Sequence, residues 1–297
     1  MSEEYNSARK AGRRQMKEAL SRGENPFLPS LDGIIPDHAS TEGIPVGTID
    51  IPLSLIAGTR TRGRSSMFSC GFLPIADPGS EFAAKWSALY DAQVNEGIRD
   101  PIVAYEYLQR FYVAEGNKRV SVLRWLDNPT ITAHVTRVMP RRAEDAEADS
   151  YREFLEFYRI APIYGFFFSE AGSFARMARL LGRDLESPWP EDEVKRLETA
   201  YRLFERSFKS NGGSSLPLTS ADAFLVYLQA YATSDPLRVS ARTMGERVKH
   251  IWSEFVAASP DKPIDYVEHP PEGKPRIIPA IKRRMVDASA PSNSSTR

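Results

Sequence analysis

Two hydrophobic periods divide this chain, and the division constrains its fold more than any other feature. Between residues 46 and 140 the period is two. Ile49, Ile51, Leu53 and Leu55 alternate with Asp50, Pro52 and Ser54, and Ile131, Ala133 and Val135 alternate with Thr132, His134 and Thr136. Alternation of this kind marks half-buried strands. Pro52 assigns the first of them to a sheet edge or a strand end. The β-prone runs "PIVAYEY" and "RFYVAE" are separated by "LQR", which predicts a hairpin. Beyond residue 150 the period becomes helical. Tyr151, Phe154, Leu155 and Tyr158 form one stripe, and Phe174, Met177, Ala178 and Leu181 another, closed by Gly182. Pro190 and three acids open a third helix with a stripe of Val194, Leu197, Tyr201, Phe204 and Phe208, ended by Lys209 and Gly212. Thr219 with Asp222 reads as a helix start for Phe224, Leu225 and Leu228, and residues 240–257 supply one more helix. The fold class is α+β: a mixed domain followed by a mostly helical one.

The expected divisions are 1–45, a polar helix at 4–22 with an irregular lead-in; 46–140, the mixed domain; 150–258, the helical domain; and 259–297, a Pro- and Ser-rich disordered tail. Residues 58–80 read as a long loop, and "SEFAAKWSALYDAQVNEG" as a helix starting at Ser80. Lys+Arg and Asp+Glu balance at 39 each, so no net charge drives the whole chain toward nucleic acid or an anionic membrane. The basic stretches "ARKAGRRQMK" and "IKRRM" are short. The single cysteine, Cys70, has no disulfide partner and reads as buried rather than reactive. The four histidines lack zinc-site spacing, so no metal ligands are assigned. His134 reads as structural, and the phenylalanines of "YGFFFS" as core. No run reaches the ~20 apolar residues of a membrane helix, and the charged N-terminus is unlike a signal peptide. A cytoplasmic protein is expected.

The most specific stretch is "VAEGNKRVSVLRWL", residues 113–126. A glycine between a strand and a helix lets the backbone approach a bound group. The first turn of the helix has N–H groups without intrahelical partners, and its dipole favours anions. Asn117 offers a donor and an acceptor, Lys118 a point charge, and Arg119 a planar donor fork that suits phosphate oxygens. This is a phosphate-binding pattern, but it is not a P-loop. "GTRTRGRSS" adds Arg60, Arg62 and Arg64 as further candidate phosphate ligands. Against both stands the plain alternative of a tight turn and solvated cations.

The segment "NEGIRDPIVAYEYLQRFYVAEGNKRVSVLRWLDNPTITAHV" resembles the N-terminal domain shared by ParB partition proteins and sulfiredoxins. Asp100-Pro101-Ile102 stands where ParB has Gln-Pro-Ile/Leu, and Gly116-Asn117-Lys118-Arg119 where ParB has Gly-Glu-Arg-Arg and sulfiredoxin Gly-Cys-His-Arg. A wider resemblance, over roughly residues 1–258, is to the ParB-like region that some bacterial proteins fuse to a basic-membrane-protein-type ABC-transporter ligand-binding domain. Together "VGTIDIPLSLIAGTRTRGRSSMF" and "LPLTSADAFLVYLQAY" carry it, and no such ligand-binding domain follows in this sequence.

The resemblance implies a nucleotide ligand, CTP, ATP or ADP with Mg²⁺, held by Gly116, Lys118 and Arg119. It implies nucleotide hydrolysis or phosphoryl transfer only if acids are placed for it, and Glu115 and Asp100 are the nominees for base or metal contact. Sulfiredoxin chemistry is excluded, because Asn117 replaces the nucleophilic thiol. The alternative reading is a non-enzymatic regulatory module whose helical domain meets a protein partner. DNA binding is disfavoured, since "DLESPWPEDE" puts acids and two prolines where a recognition helix would need cations.

Overall fold

The computed structural model describes residues 3–35, 43–140 and 146–259. The expected tail beyond Ser259 lies outside the described residues, as does 141–145 of the charge-dense boundary "PRRAEDAEAD" expected at 140–149. The fold is α+β: a five-stranded mixed sheet with several helices.

The sheet runs in the order β1-β5-β3-β4-β2. β1 (Ile44–Pro52) pairs antiparallel with β5 (Thr130–Arg137), and β5 pairs parallel with β3 (Ile102–Tyr107). β3 and β4 (Arg110–Glu115) form the expected hairpin. Its turn carries Leu108 and Gln109 at φ 51° and 63°, where glycine or asparagine would be ordinary. β4 pairs parallel with β2 (Ile56–Thr59), the opposite edge.

The alternation over 49–55 is thus shared by more than a strand. β1 ends at Pro52, as proline requires, and Leu53–Leu55 form a 3₁₀ turn. The chain then enters β2, whose last two residues, Gly58 and Thr59, fall within the segment expected to be loop. A Cβ on Gly58 would lie 2.1 Å from the Pro29 carbonyl oxygen, so glycine is what admits the neighbouring 29–30 segment. That segment belongs to the lead-in and is followed by a four-residue helix, α2 (Leu31–Ile34).

Ile51, Ile102, Ala104, Val113, Ile131, Ala133 and Val135 form one face of the sheet and pack on Val120 and Leu123 of α4 (Asn117–Trp125). α3 (Glu81–Asn95) starts as expected, with Ser80 Oγ accepting from the Ala83 N–H at 3.2 Å. α1 (Glu3–Ser21) buries Tyr5, Ala8, Gly12 and Ala19, and Tyr5 meets Trp86 of α3 edge-on at 5.5 Å. Its order comes from this packing rather than from its polar sequence.

Among the described residues six α-helices follow: α5 (Ala146–Ile160), α6 (Ser173–Leu180), α7 (Glu191–Ser210), α8 (Ser220–Ala230), α9 (Ala241–His250) and α10 (Trp252–Ala258). The single helix expected over 240–257 is two, broken at Ile251, and Val248, Ile251 and Phe255 all remain in the core. That core is aromatic: Phe154, Phe157, Phe166, Phe174, Phe204 and Phe224 are fully buried. Within "YGFFFS", Phe166 and Phe168 are core, and Phe167 lies half-buried under the Arg110 guanidinium at 4.1 Å. Thr219 caps α8, accepting from the Asp222 N–H at 3.0 Å. Cys70 is half-buried, and burial pushes its thiol up. His134 sits on the solvent side of β5, its Nδ1 2.8 Å from Thr48 Oγ1.

Candidate functional site

Gly116 sits where β4 ends and α4 begins, at φ 102° and ψ 16°. This is left-handed backbone, and a Cβ there would stand 2.4 Å from Ile102 Cγ2. Two constraints therefore select glycine, conformational and steric. We expect Gly116→Ala to destabilise the fold by about 2–3 kcal/mol, read as a lowered midpoint in urea with an unchanged slope.

The residues after Gly116 diverge. Asn117 is 3% exposed, and neither its Nδ2 nor its Oδ1 has a hydrogen-bond partner. A buried amide in that state is costly unless something satisfies it. Arg119 turns toward the start of β3. Its Nη1 donates to the carbonyls of Asp100 and Pro101, both at 2.7 Å, and its Nη2 lies 3.4 Å from Glu115 Oε1. The fork expected to grip phosphate thus holds main chain. Asp100 and Glu115, the nominated acids, stand beside it and are exposed.

Lys118 takes the other side. Its Nζ lies 4.9 Å from the centre of the Phe82 ring on α3. Four residues on, Trp86 Nε1 donates to Ser121 Oγ at 2.9 Å. The two contacts advance together along both helices, so α3 and α4 run side by side in the same direction. Their N-termini open on one cleft of about 570 Å³, lined by Met67, Ala76, Asp77, Ser80, Glu81, Phe82, Lys85 and Lys118. Parallel dipoles add at such a place, and both ends favour an anion. The acids of the cleft are paired, Asp77 with Arg9 at 2.8 Å and Glu81 with Lys85 at 2.5 Å.

The arginines of the loop after β2 lie at the same end of the sheet, because β2 and β4 are parallel and end together. Arg60 and Arg62 are engaged with α2. Arg60 is ion-paired with Asp32, and its guanidinium stacks on Tyr105 at 4.9 Å. Arg62 packs on Gly33, its Nη2 3.1 Å from where a Cβ would stand. The side chain of Arg64 lies outside the described residues. The structure therefore groups Gly116, Arg119, Glu115 and Asp100 at one point, sends Lys118 to the cleft, and puts Arg60 and Arg62 against α2.

The densest polar cluster was not foreseen. Glu106 on β3 is fully buried. Its carboxylate accepts from Tyr151 at 2.6 and 2.9 Å, from Arg137 Nε at 2.5 Å and from the Gln109 N–H at 2.7 Å. Arg137 also donates to Tyr164 at 3.0 Å. Burial pushes the Glu106 carboxyl up, with Arg137 and Tyr151 opposing it, and burial also raises the Tyr151 and Tyr164 hydroxyls. The cluster ties the sheet to α5. One signal pointed to it: in "IVAYE" the inward positions are Ile102, Ala104 and Glu106.

No family model matches the chain, and no curated protein matches it at a significant level. Among the described residues no group of side chains could hold a metal ion, and no helix is long and apolar enough to cross a membrane.

Proposed function

We propose that the protein is a cytoplasmic, ParB/sulfiredoxin-like nucleotide-binding protein that holds phosphate in the cleft where α3 and α4 begin, beside the Gly116 turn. The observation that carries the reading is the cleft at the parallel N-termini of α3 and α4, with Lys85 and Lys118 on its walls. Gly116 keeps the backbone of the turn open, and the unpartnered amide of Asn117 is the feature of the turn that a ligand or an ordered water would satisfy. Arg119 supports the turn by holding Asp100 and Pro101 in place. CTP, ATP or ADP would bring Mg²⁺ on its own phosphates.

A second reading is favoured by the state of the acids. Glu115 and Asp100 are exposed, and the one cation between them is tied to main-chain carbonyls. Neither acid is desolvated or aimed as a base for phosphoryl transfer would be. On this reading the nucleotide is a switch without turnover, and the helical half meets a protein partner.

Thermal melting of the full chain with Mg²⁺ and CTP, ATP, ADP or GTP tests both. A ligand at about 100 times its dissociation constant adds about 2.7 kcal/mol to stability. One nucleotide should raise the melting temperature, and Lys118→Gln should remove that shift while leaving the unliganded melt near wild type. Phosphate release with the same nucleotide would favour an enzyme; a shift without release would favour the switch. A cooperative melt that no nucleotide moves would reject the site.

A further inference from the structure

We propose that the outer face of α1 is a docking surface for an anionic lipid bilayer. The inward face of this helix is occupied by Tyr5, Ala8, Gly12 and Ala19. The outward face carries Lys10, Arg13, Arg14 and Lys17, at i, i+3, i+4 and i+7, and all four are exposed. Their spacing puts them on one stripe about 10 Å long.

The charge pattern is unlike that of the other long helix. On α7 four cations find acids one turn away: Lys195 with Glu191, Arg196 with Asp192, Arg202 with Glu198 and Lys209 with Glu205. On α1 three of the neighbours at that spacing are like charges, Arg9/Arg13, Lys10/Arg14 and Arg13/Lys17, against one opposite pair, Arg14/Glu18. Like charges at this spacing work against the helix. The acids beside the stripe make only long contacts with it, Asp77 at 3.9 Å from Arg13 and Glu18 at 3.8 Å from Arg14, and Asp77 is held closer by Arg9, at 2.8 Å. A helix that keeps this repulsion fits a partner of opposite charge.

The next position along the stripe identifies that partner. Leu20 follows Lys17 by three residues and is 60% exposed, the highest value among the large exposed hydrophobics described. A phosphate backbone offers nothing to a leucine side chain. A bilayer offers anionic headgroups to the cations and an apolar layer just beneath them to the leucine.

Co-sedimentation of the full chain with phosphatidylcholine vesicles, with and without about 30% phosphatidylserine, tests the assignment. Binding should require phosphatidylserine and weaken steeply as salt shortens the Debye length. Lys10→Gln/Arg13→Gln/Arg14→Gln/Lys17→Gln together should lower affinity by more than about 100-fold, since each cation near such a surface is worth roughly five-fold. Leu20→Ser should weaken binding with the charge unchanged. The same number of neutralisations on α7, at Lys195, Arg196, Arg202 and Lys209, should leave binding as it was. Circular dichroism and melting of each variant confirm the fold. Equal binding to neutral vesicles, no binding at low salt, wild-type binding by the α1 variant, or tighter binding to a duplex oligonucleotide than to the vesicles would each overturn the proposal. Lys118→Gln should bind vesicles normally, so this result and the nucleotide result stand or fall separately.

Discussion

Replacing Arg124 with methionine is expected to cost about 3–5 kcal/mol and to lower the melting temperature by roughly 10 °C. The guanidinium of this α4 residue is buried. It donates to the carbonyls of Ile56 at 2.6 Å, Leu53 at 2.8 Å and Gly71 at 3.3 Å, and lies over the Phe72 ring at 5.0 Å. Those carbonyls belong to the 3₁₀ turn, to β2 and to the segment after it, where the chain crosses from one sheet edge to the other. Methionine fills much of the volume but leaves three acceptors without this donor. Lysine has a single donor head and should recover about half of the loss at most.

The pH dependence separates this from an ion-pair effect. Burial pulls Arg124 down to about 10 from an ordinary 12.5. Below about pH 10 the group is protonated in both folded and unfolded chains, so its contribution is flat. Between the two values the unfolded chain binds more protons, and stability rises with pH. The cost of Arg124→Met should therefore be the same at pH 6 and pH 8 in urea titrations. A cost that changes between those two values would mean that Arg124 acts through a titrating carboxylate.

Most of the sheet was legible, for a reason visible in particular residues. Ile131, Ala133 and Val135 alternate because one side of β5 is core and the other is solvent, which is a local property. β2 was not legible. All four of its residues are buried, so alternation is lost, and Gly58 is set by a contact with Pro29 across the fold. On α4, Val120 and Leu123 stand at the three-residue spacing of one helix face. Val122 and Ser121 are buried as well, because α3 covers a second side of the helix.

The site shows the same limit. The glycine, the amide and the two cations stand out in the sequence as residue types. Their directions were not readable. Arg119 is drawn to Asp100 and Pro101 because Ile102 packs on Gly116, and that proximity spans fourteen residues of hairpin. The partnership of Lys118 with α3, and hence the cleft, depends on a helix that begins nearly forty residues earlier. A strand pattern carrying a carboxylate on its inward side, as at Glu106, is the kind of local contradiction that marks a long-range partner before the partner can be named.

That contradiction also yields the last test. Removing one member of the Glu106 cluster should cost about 3–5 kcal/mol, because a buried charge or donor is left without its partner. Glu106→Gln, Arg137→Gln and the double variant, compared by urea unfolding, should show the double losing about 1–3 kcal/mol less than the sum of the singles. Additive losses would mean that the two side chains stabilise the fold independently despite their contact at 2.5 Å. The pH sign follows from burial, which raises the Glu106 carboxyl. A carboxyl raised in the folded chain favours folding most when protonated. Its contribution is full below the unfolded value of about 4.3 and declines as pH climbs through the folded value. Glutamine does not titrate, so the stability gap between wild type and Glu106→Gln should be largest near pH 4 and shrink toward neutrality. A gap that widens with pH would reverse the assignment and make the Arg137 charge, rather than desolvation, the stronger influence on Glu106.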